Sequence, residues 1–141
     1  MSDTIIGALR DYFLQCPLMG NSKINVDYLP EKGVEYSIDT TPATEIIKQY
    51  LGGGSKRQYL FVVRSVMDYS QDTLQAIANS GFYEKLADFL EMQTQKGIFP
   101  KLAANQEVLK IEAQSTGYLF STSPKSGKYQ IQCRLIYMQK G

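Results

Sequence analysis

The chain contains no histidine. That absence excludes every Ser-His-Asp, Cys-His and His-ligated zinc arrangement. It also removes the commonest general base at neutral pH. Carboxylate or lysine chemistry stays open, but no segment concentrates such groups. Cysteine is scarce: Cys16 and Cys133 stand far apart and form no metal motif. Two buried free thiols are expected in preference to a disulfide joining the first helix to the last strand. No apolar run approaches the ~20 residues that span a bilayer. The first residues lack a basic stretch followed by an apolar core, so no secretory signal is expected. Neither sign of charge is in excess, since 15 basic and 14 acidic residues leave a net +1. Nothing therefore steers the chain to nucleic acid or to an anionic membrane, and near-neutrality favours self-association.

At 141 residues, 43% of them hydrophobic, the chain has the size and composition of one soluble domain with its own core. Ser2, Asp3 or Thr4 can cap a helix over residues 3–15 whose apolar positions are Ile5, Ile6, Leu9, Tyr12 and Phe13. Pro17 stops it. Ile24, Val26 and Tyr28 alternate with polar residues as a half-buried strand. Val34, Tyr36 and Ile38 do the same, and Pro30-Glu31-Lys32-Gly33 between them predicts a hairpin. Residues 43–51 fit a short helix or a strand. The strand is favoured, because Gly52-Gly53-Gly54-Ser55-Lys56 suits a hairpin tip leading into the next one. That next strand, Arg57–Val66, is apolar on both faces and should be central and covered on both sides. Leu74, Ile77 and Ala78 begin a helix. Asn79-Ser80-Gly81 should interrupt it, and Phe82, Leu86, Phe89 and Leu90 continue it to a stop at Gly97 and Pro100. Glu84, Lys85, Asp88 and Glu91 should face solvent. Val108–Phe120 reads as a strand with a bulge at Ser115-Thr116-Gly117. A turn at Ser123–Gly127 then leads to the cleanest alternation of the chain, from Tyr129 to Tyr137. The fold class is α+β: a mainly antiparallel mixed sheet with an N-terminal helix and a long helix packed on it, in a single domain over 1–141.

Motifs with chemistry are few. Gly52-Gly53-Gly54-Ser55-Lys56 misses the phosphate-loop pattern, because Lys56 follows Ser55 and a strand follows the lysine. Lys23, Lys56, Arg57, Lys125 and Lys128 near turns could touch DNA, yet spread singly they read as solubilising charge. Asp27, Glu35 and Asp39 come from neighbouring strands without evident reason to converge. Most of the ten tyrosines sit at alternating strand positions, which favours packing over an interface role.

Six segments carry a resemblance: Lys23–Leu29, Glu35–Asp39, Arg57–Phe61, Ser80–Glu84, Ser115–Phe120 and Tyr129–Leu135. In order and spacing they cover nearly the whole chain. It resembles a family of small minor capsid or tail terminator proteins from tailed bacteriophages and prophages of Gram-positive hosts. These segments are structural, so the likeness points to a family rather than to working residues. It implies a virion protein, assembled in the bacterial cytoplasm, with no enzymatic activity, cofactor or metal. Such proteins form a hexameric ring on the last ring of the tail tube, stop its growth and present the surface that joins the head. The implied partners are further copies of the chain, the tail tube protein and the head–tail connector or stopper. DNA would only pass through the lumen, without sequence-specific binding, and no membrane is involved. Two tips are expected to reach neighbouring subunits, the tube or the lumen: Gly52, Gly53, Gly54, Ser55, Lys56 and Arg57, and Ser123, Pro124, Lys125, Ser126 and Gly127. The alternatives are another neck or head-completion protein, a tube-related subunit, a host-directed binding module, and a small enzyme using a carboxylate or lysine.

Overall fold

A computed structural model describes residues 4–20, 23–30, 35–68, 73–122 and 126–141. Among the described residues it is an α+β structure with two α-helices, a short 3-10 turn at Pro17–Met19 and a mixed seven-stranded sheet. The elements are α1 (Ile5–Leu14), β1 (Ile24–Val26), β2 (Glu35–Thr40), β3 (Ile46–Gln49), β4 (Ser55–Asp68), α2 (Thr73–Lys96), β5 (Gln106–Ala113), β6 (Tyr118–Thr122) and β7 (Ser126–Gln139).

Two 14-residue strands, β4 and β7, pair antiparallel from Ser55↔Gln139 to Asp68↔Ser126 and form the spine. Each flank of the spine carries an interrupted strand. β2 and β3 both pair with β4, and β5 and β6 both pair with β7. The expected bulge at Ser115-Thr116-Gly117 is the second of these interruptions. Ala113 pairs with Cys133 and Tyr118 with Gln130, so four residues on one side face two on the other. The insert is stitched in place by Gln114 N–H to Gln132 O at 2.7 Å and by Gln132 N–H to Ser115 Oγ at 3.0 Å.

Two expectations are corrected. The hairpin between the first two strands does not form, because β1 runs parallel to β2, with Ile24↔Tyr36 and Val26↔Ile38. Alternation reports which face a residue takes and carries no direction. Glu31, Lys32 and Gly33 of the expected turn lie outside the described residues. Asp27 follows β1 at φ 54, a left-handed conformation that aspartate tolerates, and Tyr28 is left exposed. The helix is not interrupted at Asn79-Ser80-Gly81: α2 runs unbroken for 24 residues. A mid-helix glycine costs only about 1 kcal/mol, and Asn79 is buried with its Nδ2 donating to Tyr129 Oη at 3.3 Å. β4 is central and buried on both faces, as its sequence predicts, with Val62 and Val66 on one and Phe61 and Val63 on the face that the helices cover.

On that face the core joins Leu9 and Phe13 of α1 with Tyr83, Leu86 and Leu90 of α2 over Phe61, Val63, Ile131, Cys133, Leu135 and Tyr137. Each fully buried large apolar side chain there contributes roughly 1.5–3 kcal/mol. Thr4 caps α1, accepting from Gly7 N–H at 3.1 Å. The other end of the helix layer closes as the sequence predicts. Gly97 at φ 71 donates to Thr94 O, and Ile98 N–H reaches Gln93 O at 2.9 Å, the glycine-terminated helix stop. Glu84, Lys85, Asp88 and Glu91 are exposed. Cys16 and Cys133 are free and buried, and burial pushes both thiols up.

The opposite face of the sheet mixes polar and apolar side chains. Val62, Val66 and Ile136 are buried there. A ladder crosses four strands here. Asp39 Oδ2 of β2 pairs with Arg64 Nη1 of β4 at 3.0 Å. Arg64 Nε donates to Gln130 Oε1 of β7 at 3.1 Å, and Gln130 Nε2 donates to Tyr118 Oη of β6.

Candidate assembly surface

The sequence-predicted contact residues separate into four groups. Gly52, Gly53 and Gly54 do form a hairpin tip, joining β3 to β4. Tyr50 N–H donates to Gly54 O at 3.2 Å, Gly53 N–H donates to Tyr50 O at 3.0 Å, and Gly53 and Gly54 lie at φ 96 and 82. Only glycine adopts such angles without strain, so this tip has a defined shape. Ser55, Lys56 and Arg57 belong to β4 instead. Ser55 is buried, and Arg57 is held by Glu45 at 3.2 Å. Ser126 and Gly127 are buried strand residues of β7, a correction to the second tip, while Ser123, Pro124 and Lys125 lie outside the described residues. The long spine explains the separation. Its two ends are 13 steps apart from Ser55 to Asp68, roughly 40 Å at ~3.3 Å per residue, so the first tip and the Ser126–Gly127 end of β7 do not form one site.

The candidate carboxylates are likewise dispersed. Glu35 accepts from Asn25 Nδ2 at 2.9 Å, Asp39 takes Arg64 and Ser37, and Asp27 sits in the turn after β1. Glu112 bridges Lys110 and Arg134. Burial works to raise its carboxyl, but the hydrogen bonds and charges of Arg134 and Lys110 prevail and hold it below the usual range. Tyr137 donates to Glu45 Oε1 at 3.0 Å. Burial, and then that carboxylate, push its phenol up to about 12. Among the described residues no His/Cys/Asp/Glu group could hold a metal ion, and no helix is long and apolar enough to cross a membrane.

Several apolar surfaces are left uncovered. β3 and β6 are exposed along their whole length. Each pairs on one side only among the described residues, β3 with β4 and β6 with β7. They lie on opposite flanks of the spine and near opposite ends of it. β3 and its tip present Ile46, Ile47, Tyr50 and a fully exposed Leu51, and β6 presents Tyr118, Leu119 and Phe120. Phe120 is partly engaged, with the Arg64 guanidinium 5.0 Å above its ring. Exposed apolar edges of this kind are pairing surfaces. A third uncovered surface is a groove of about 790 Å³ between α1 and the end of α2, walled by Leu14, Pro17, Phe89, Ile98 and Phe99. Its rim is fixed by Tyr12, which donates to Ile98 O at 2.8 Å.

Sequence reasoning singled out the glycines of the first tip and passed over Leu51 beside them. It passed over the groove as well, although Ile98-Phe99-Pro100 directly after the helix stop was a readable sign of apolar residues held at a helix end. No protein-family model matches the chain, and no curated protein matches it.

Proposed function

We propose that this chain is a structural subunit of a phage tail, a terminator that assembles as a ring at the head-proximal end of the tail tube, ends tube growth and offers the surface that joins the head. The observation that carries this reading is the pair of unlike, exposed, apolar strand edges on opposite flanks of one sheet. A ring built head to tail needs two different surfaces on each subunit, which meet across every interface. A two-fold dimer needs only one. The extended likeness of the sequence to tail terminators supplies the biological setting, and the near-neutral charge suits a channel through which DNA must slide without being held. A tube-related subunit would use the same two edges but continue into long tubes.

The test is to polymerise the tail tube protein in the presence of increasing amounts of this chain and to measure tube lengths by negative-stain electron microscopy. Mean length should fall as the chain is added. Lengths independent of the added chain would refute the terminator role.

A further inference from the structure

We infer that the β3–β4 hairpin tip of one copy seats in the groove between α1 and the end of α2 of the next. The inference rests on the assembly reading above and adds to its two strand edges a second pair of unlike surfaces, the tip and the groove. The tip is a preformed knob. Its backbone is fixed by the two hydrogen bonds of Tyr50 and by the left-handed Gly53 and Gly54, and it carries Leu51 fully exposed at its apex beside Tyr50. An apolar side chain held rigidly in water gains by burial, and a rigid knob loses little entropy on docking. The groove is the matching hole. Its volume of about 790 Å³ lies within the roughly 300–1,000 Å³ of sites that enclose bound groups. Leu14 and Ile98 stand exposed on its opposite walls. Charge agrees with size. The rim carries Asp11 and Lys101. Asp11 offers a counter-charge to Lys48, whose ammonium sits 5.4 Å from the Tyr50 ring centre on the knob. With a net charge of +1, copies repel one another little. Knob and hole are different surfaces of one chain, so the contact is head to tail and each copy offers both halves.

The test is disulfide trapping between two variants, Leu51→Cys and Ile98→Cys. The native thiols Cys16 and Cys133 are buried, and both substituted positions are exposed, so folding should be unaffected. Mixed and mildly oxidised, the two variants should give the 51–98 bridge as the main product, identified by peptide mass mapping. Adding Leu14→Asp to the Ile98→Cys chain spoils the opposite wall and should abolish the bridge. Folded chains that form no 51–98 bridge, that form 51–51 or 98–98 bridges instead, or whose bridge survives Leu14→Asp would overturn the docking. Tube-length measurement on the unmodified chain separates the two proposals. Shortened tubes without the bridge overturn the docking alone, while the bridge with unshortened tubes overturns the terminator reading and leaves the docking standing.

Discussion

A Cβ on Gly117 would lie 2.3 Å from Cβ and Cγ of Tyr83. Tyr83 is almost fully buried, stacks on Tyr129 at 6.0 Å and shares a hydrogen bond with Ser65. Neither partner can move cheaply, so the insert between β5 and β6 is locked onto α2 at this point. Gly117→Ala should destabilise the fold by about 1–3 kcal/mol through overpacking, read as a lowered denaturant midpoint. Pairing it with Tyr83→Ala should recover part of that loss relative to the sum of the single changes, since the ring it strikes is gone. Tyr83→Phe is a separate test. It leaves the Ser65 hydroxyl buried without its Tyr83 partner and should cost about 1–2 kcal/mol, whereas adding Ser65→Ala should return much of it. Additive losses in this cycle would show that the bond contributes nothing.

Among the elements, the β5–β7 pairing is the one whose strength should follow pH. Glu112 is ionised below its ordinary range because Arg134 and Lys110 hold its charge. A carboxyl depressed in the folded state binds its proton more readily when unfolded. Its stabilisation is therefore complete above the ordinary value of 4.5 and is lost as pH falls through the lower folded value. The urea midpoint of the native chain should drop more steeply than that of Glu112→Gln between about pH 5 and about pH 3; equal slopes would remove the pair from the account. The elements also show what a sequence can and cannot carry. Tyr129 to Tyr137 announces β7 because one face is wholly buried, and β3 was correctly favoured as a strand because the glycines behind it force a hairpin. The direction of β1 was hidden, since Ile24 and Val26 alternate alike in parallel and antiparallel pairs. The unbroken α2 was hidden because Asn79-Ser80-Gly81 looks like a breaker until tertiary contacts such as Asn79 to Tyr129 outweigh local propensity. Tyr83 escaped the apolar stripe because its hydroxyl conceals a core residue until Ser65 is seen opposite it.

For the whole molecule, the tip and the two open edges lie away from the buried core, while the groove is lined in part by Tyr12, Phe89 and Phe99, which pack against that core. The spine of β4 and β7 supplies a rigid plate, α1 and α2 cover one face, and the tip, the groove and the two open edges stay uncovered. Of these only the first tip was legible in the sequence, because glycines mark turns directly, whereas a groove exists only once two helices have been placed side by side. Contacts made by exposed residues leave stability nearly unchanged and alter association, so assembly and folding should respond to different substitutions. The decisive measurement is where the chain resides on tubes grown with it, with a label on the chain and the tube ends imaged by electron microscopy. The account predicts label at one end of each tube and tubes that shorten as the chain is added. Label distributed along the tube, or absent from tubes of unchanged length, would contradict it.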